Sequence, residues 1–429
     1  MIRRIMSVLV MALSLGMAPL VLRAEPVVVQ VSTAAALQEA ISSASAGMVI
    51  ELAPGNYGRL DLRRLVMPDG QPLVLRGSPG QDAPVLTSLR LREVENLVLE
   101  NLVFDYTFTP GDRRHMRPFQ IISSRGVTVR HCLFDGDVAR GVSTRSDGFG
   151  TAFGLTMRRS DQVTLESSEI RGFFRGLVVA SSSHINILGN DLHDIRMDGM
   201  NFAQVDGVRI ERNYIHDFRR SLTSGDHADM IQFWTKGTTE PSRDIVIRDN
   251  VLNSGGGWYT QSIFMRNEMV DQGDAGAEMY YRNVLITDNV IINAHLHGVT
   301  LGATDGAIVS NNTVIRNARS QGERDNVDLW NPRISVARRS HNVQILRNVT
   351  SRIVGYEDQD DWVFADNVMV QDQGRLARGL YYDMVFVDAL RGDPQDLGSF
   401  AYLPGGVLDG TGLGASRLTS PDPTPPNMP

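Results

Sequence analysis

Seven asparagines occupy one place in a short recurring pattern, apolar-x-apolar-x-x-Asn-x-apolar: Asn190, Asn213, Asn250, Asn289, Asn312, Asn348 and Asn367. Earlier copies starting at Leu97, Val127 and Val163 carry Leu102, Cys132 and Ser168 in that slot. The first apolar positions are separated by 30, 36, 22, 23, 37, 39, 23, 36 and 19 residues. The values near 22 define one bare coil, and the longer ones are coils with inserted loops. Alternation at period two, rich in Val and Ile, reads as strand; a helical repeat would show period 3.6. An Asn before an apolar residue suits a sharp turn whose amides bond from coil to coil. Such a chain is constrained to a solenoid, which outgrows the usual single-core limit by stacking. The expected fold is all-β: a single-stranded right-handed parallel β-helix of about ten or more coils.

A second strand follows each Asn turn. Its copies include Gly154-Leu155-Thr156-Met157, Gly176-Leu177-Val178-Val179, Gly199-Met200-Asn201-Phe202 and Met230-Ile231-Gln232-Phe233. The first and third residues of each point outward. Thr156, Val178, Asn201, Gln232, Phe264 and Thr300 are thus expected to form one outward column. Before the repeat, Ser32 or Thr33 can cap a helix whose stripe is Ala36, Leu37, Ala40, Ile41 and Ala44. Such a helix covers the open first coil of a solenoid.

These features divide the chain. Arg3 and Arg4, the apolar run from Ile5 to Leu22 and Ala24 read as a signal peptide over residues 1–24. Residues 25–372 are the expected β-helix with its cap, residues 373–418 a C-terminal segment covering the last coil, and residues 419–429 a proline-rich disordered tail. A periplasmic or secreted protein, with no stable membrane insertion after signal removal, follows. Cys132 is the only cysteine, so burial and backbone pairing must stabilise the chain without a disulfide. The net charge of −7 argues against nucleic acid as a partner. It leaves room for a local basic cleft and an anionic polymer. A monomer is expected.

The helical cap, the turn Ala53-Pro54-Gly55-Asn56-Tyr57 and the Asn-ladder coils resemble the pectin-lyase-like superfamily. They are similar to its branch of alginate lyases, chondroitinase B and mannuronan C5-epimerases. The resemblance spans Val27 to Met369 and implies a carbohydrate-active protein. It specifies fold more than reaction.

Unusual side chains gather in Asp226-His227-Ala228-Asp229-Met230-Ile231-Gln232-Phe233-Trp234-Thr235-Lys236, and Lys236 is the sole lysine. Register places Asp229 one coil above Asp198 and Gln232 above Asn201. It puts Arg266 in the Trp234 column and His297 two coils on in the Asp229 column. Removing a proton α to a uronate carboxylate needs a base and a cation for that carboxylate. The expected catalytic residues are His227, Lys236, Asp229 and Arg266. Asp198, Asn201, Arg220, Gln232, Trp234, Tyr259 and His297 are expected to bind substrate, with the aromatic rings stacking on sugars. His184, His193, His216 and His295 read as structural. Asp226-His227-Ala228-Asp229 is related in content to the Asp-Pro-His-Asp run of mannuronan epimerases, but lacks the proline and has its His one place earlier. The lyase branch implies a Lys and Arg pair around calcium, so Ca2+ is a possible cofactor with no ligands assigned. Three readings stay open: a uronate lyase or C5-epimerase, a non-catalytic polysaccharide binder, and a glycoside hydrolase using Asp198, Asp226 or Asp229.

Overall fold

The computed structural model describes residues 26–258, 260–316, 330–372, 379–420 and 423–426. The expected signal peptide lies outside them. Successive coils pair in parallel and build three sheets. In the first, Leu177, Met200, Ile231, Ile263, Val299 and Ile334 stack. In the second, Ile187, Ile210, Ile247, Ile286, Val309 and Ile345 do so. In the third, Ile170, Leu192, Ile215, Leu252, Ile291 and Val314 complete the interior. All eighteen side chains are fully buried. Each contributes about 1.5–3 kcal/mol relative to exposure, which stabilises the solenoid without a staple.

The asparagines form the expected ladder. Asn190 Nδ2 donates to Asn213 Oδ1 at 3.0 Å, and Asn213 donates to Asn250 at 2.9 Å. The series continues through Asn289, Asn312 and Asn348 to Asn367. Each Oδ1 also accepts the backbone N–H of the preceding rung, as Asn250 does from Asn213 at 2.9 Å. Ser168 and Cys132 extend the ladder with shorter side chains: Ser168 N donates to Asn190 Oδ1, and Cys132 N to Ser168 Oγ. The turn itself is made by the residue before each Asn. Gly189, Arg212, Asp249, Asp288, Asn311, Arg347 and Asp366 all have φ between 52° and 60°. That left-handed conformation is tolerated by Gly, Asn and Asp and is otherwise disfavoured.

Helix α1 (Ala34–Ser42) is capped by Thr33, whose side chain accepts from Ala36 N. Its Leu37, Ala40 and Ile41 enter the core, so the first coil is closed as expected. The C-terminal segment does more than cover the last coil. Tyr382, Val385, Phe386, Leu397, Phe400 and Leu418 pack along the outside of the third sheet, against Tyr214, Val251, Val290, Ile292, Ile315 and Val349. Those apolar side chains point away from the solenoid interior and require a cover. Beyond it, Arg417 Nη1 donates to the Thr424 carbonyl, and Pro423 and Pro426 are buried. No helix among the described residues is long and apolar enough to cross a membrane.

Candidate functional site

The outward column on the first sheet has the expected register: Thr156, Val178, Asn201, Gln232, Phe264 and Thr300 are paired coil to coil. Thr156, Asn201 and Gln232 are nonetheless buried. A second column lies beside it, three residues earlier on each strand. It runs Phe153, Arg175, Asp198, Asp229 and Gln261, and register brings His297 next. Glycines let these strands approach. A Cβ on Gly199 would lie 2.7 Å from the Met230 carbonyl, and one on Gly176 would lie 2.6 Å from the Gly199 carbonyl.

Asp198 and Asp229 have no solvent exposure. Arg175 Nε stands 3.0 Å from Asp198 Oδ2, and Asn201 Nδ2 donates to the same oxygen at 3.1 Å. Asn201 also donates to Gln232 Oε1. His227 Nδ1 lies 3.0 Å from Asp229 Oδ2. Burial, and then the neighbouring Asp229 charge, push the Asp198 carboxyl up to about 8. Burial also raises Asp229, against the stabilising bond from His227. The nearby His227 and Arg175 charges lower both carboxyls against that burial. Asp198 Oδ1 and Asp229 Oδ1 have no hydrogen-bond partner among the described residues. His227 is raised by its bond to Asp229, with burial opposing. Its side chain is 53% exposed, so the ring presents Nε2 to solvent while Asp229 holds Nδ1.

The loop carrying His227 is anchored from below. Arg196, 1% exposed, meets Asp226 Oδ2 at 2.8 Å, and Ser224 donates to the same oxygen at 2.7 Å. Arg114 reaches the other Asp226 oxygen at 3.5 Å. The bonds from Ser224 and Arg196 outweigh burial and hold Asp226 ionised below the usual carboxylate range.

Arginines, with histidines between them, flank this centre on both sides. His115 is lowered by burial and then by Arg114, Arg175 and Arg117; Arg117 is lowered by burial and then by Arg158 and Arg175. On later coils, burial and then His297, Arg220 and His227 bring His295 down to about 3. Burial and Arg333 bring His297 to about 4. The arginines make this face a basic stripe on a chain of net negative charge, while the lowered histidines between them are neutral at pH 7.

The structure brings together His227, Asp229, Asp198, Asn201 and Gln232, with Arg220 and His297 near the same centre. Lys236 and Arg266 lie beyond the other end of their strands and form no ion pair with these side chains among the described residues. Lys236 is exposed in the turn after the strand Asp229–Trp234 and makes no hydrogen bond or ion pair among the described residues. Arg266 Nε is engaged by Asp271 at 3.1 Å. Trp234 pairs with Ala203 at that same end of the strand and is partly buried, its indole N–H without a partner. Tyr259 lies outside the described residues. His295, read as structural from its turn position, adjoins the site. Sequence reading missed Arg175. It directly precedes the Gly176 strand copy, as Asp198 precedes the Gly199 copy, so extending each copy by one residue would have found it.

Asp198, His227 and Asp229 each bring one possible ligand atom to within 4.8 Å of the others. The set does not fit calcium, which takes six to eight oxygens. One donor is an imidazole nitrogen, and Asp198 already faces the Arg175 guanidinium. Asp229 is likewise already engaged, by His227.

The sequence matches the family model described as the right-handed β-helix region over residues 149–356. The fold is a right-handed parallel β-helix. No curated protein matches the sequence. Among solved structures, this β-helix is similar to a PL6 family alginate lyase, AlyGC, with 15% identity, a TM-score of 0.48, and coverage of 92% of this chain and 57% of that one. It therefore spans just over half of that enzyme's length. PfbA, a surface adhesin of Streptococcus pneumoniae, has 13% identity and a TM-score of 0.47, with coverage of 78% and 87%. The periplasmic alginate epimerase AlgG has 13% identity and a TM-score of 0.42, with 82% of each chain covered.

Proposed function

We propose that this β-helix is a polysaccharide lyase or C5-epimerase acting on a uronate-containing polymer, with His227 as the proton-transfer residue. The observation that carries the reading is the half-exposed His227 ring, backed by a buried Asp229 and set within a basic stripe. A carboxylate behind Nδ1 fixes the tautomer and leaves the Nε2 lone pair toward the cleft. Neutral His227 takes the C5 proton, and its electron pair moves into the uronate carboxylate. Arg220 and Arg117, on either side of the centre, neutralise that developing charge. Loss of the 4-substituent then completes β-elimination, and return of a proton on the opposite face completes epimerisation. No step needs a metal from these residues. Residues 1–24 as a secretory signal would place the reaction where such polymers are met.

The hydrolase reading draws support from the proton held by Asp198 at neutral pH. The absence of solvent exposure at both Asp198 and Asp229 weighs against direct attack on a glycosidic bond. Incubation with alginate, polygalacturonate and chondroitin separates the readings. Unsaturated ends absorbing in the ultraviolet, or solvent deuterium entering C5, are expected. New saturated reducing ends would replace this reading with hydrolysis. Binding without any of these products would leave a carbohydrate-binding protein.

A further inference from the structure

The outward column containing Asn201 and Gln232 continues toward the N-terminus as Thr156, Gln120, Arg90 and Asp61. Arg90 therefore stands four coils before Asn201, roughly 19 Å away at the usual strand spacing. A cleft of about 360 Å³ opens there, lined among others by Arg59, Arg90, Arg117, Asp61, Asp105 and Gln120. Its acids do not balance its bases. Asp61 is claimed from the side by Arg63, through bonds of 3.1 and 3.2 Å. Burial, then Asp135 and Asp137, raise the Asp105 carboxyl. Arg59, Arg90 and Arg117 are exposed and form no ion pair among the described residues. Elsewhere Arg76, Arg130, Arg171 and Arg248 each reach a carboxylate on a neighbouring coil. Arg117 also joins this cleft to the centre, since its guanidinium lies 5.2 Å from the Phe153 ring in the column of Arg175 and Asp198.

We propose that this cleft is a carboxylate-binding subsite for an anionic polysaccharide chain, occupied by a distant segment of the same chain that reaches His227. The inference rests on the uronate reading of that centre for its ligand, while its own evidence is the unpaired arginines and the cleft. Parallel stacking repeats each outward position once per coil, so an extended polymer lying along the axis meets Arg117 and then Arg90 as it leaves the centre. Short oligomers held at His227 do not reach Arg90.

The test is the double variant Arg59→Gln/Arg90→Gln in the full chain. Both side chains are exposed and unpaired, so folding should persist, with an unchanged melting temperature as the check. Binding is measured by affinity electrophoresis in gels containing alginate or polygalacturonate, with dextran as the neutral control. Turnover is measured on the same polymers and on their trisaccharides. The expected result is about tenfold weaker binding to the acidic polymer, no change with dextran, and a raised KM for polymer with the trisaccharide KM unchanged. Equal retardation of variant and parent, or no retardation of the parent in either acidic gel, overturns the subsite. Weakened binding in a parent that turns over nothing keeps the subsite and sinks the catalytic reading instead.

Discussion

Two columns of polar side chains run along this solenoid at the same coil spacing. In the asparagine ladder every interior rung is satisfied: Asn250 donates to Asn289 Oδ1 and to the Ile210 carbonyl, and accepts from Asn213. On the first sheet the polar groups are as deeply buried, yet Thr156 Oγ1, Asp198 Oδ1, Asn201 Oδ1, Asp229 Oδ1 and Gln261 Oε1 lack ordinary partners. A buried group that is bonded strengthens the fold, whereas one left unbonded costs about 1–3 kcal/mol. Asparagine serves in both columns. What separates structure from chemistry is whether its bonds close within the stack.

The comparison breaks most sharply at His227. Replacing it with Gln should lower kcat by about 10²–10⁴-fold with little change in melting temperature. A fall in melting temperature with kcat intact would make His227 a loop anchor. Asn250→Ala should do the reverse, destabilising by about 3 kcal/mol in urea unfolding, because it strands Asn213 and the Ile210 carbonyl. Its effect on kcat should be slight. If Asn201→Ala destabilises as much as Asn250→Ala, the distinction between the columns fails.

The Asp198–Asp229 pair gives a smaller, pH-dependent effect. The folded Asp198 carboxyl sits near 8 against an ordinary 3.8. The folded state therefore binds more protons than the unfolded state across that window, and stability falls as pH rises through it. Wild-type melting temperature should decline from pH 4 to 8, and Asp198→Asn should flatten the decline. His227 is also raised, so activity requiring its neutral form should climb with pH through a midpoint above 6.5. A midpoint below the ordinary histidine value would remove Asp229 as its partner. The smallest effects are expected at Lys236 and from metal removal. Lys236→Ala should change kcat less than about threefold, and EDTA should leave turnover and melting temperature unaltered. Loss of activity in EDTA, restored by calcium, would show that this donor set does take the ion.

The sequence by itself determined the solenoid. Spacing and period-two alternation placed the asparagines in one column, and the same register set Asp229 over Asp198 and Gln232 over Asn201, because parallel stacking makes equal offsets into neighbours. The helical cap was legible from the Thr33 position and the Leu37, Ala40 and Ile41 stripe. Tertiary structure decided what those neighbours do. Arg175 lies far from Asp229 in sequence and adds a guanidinium against Asp198. Arg196 reaches across inserted loops to fix Asp226 beside His227, and Lys236 is left exposed in the turn beyond the strand despite its place in the same run. Composition cannot reveal such outcomes, since burial and loop packing set the charge state of each carboxyl and the direction each loop faces. Seven repeated asparagines thus predict their own bonds, while the chemistry beside them depends on side chains that different coils bring together.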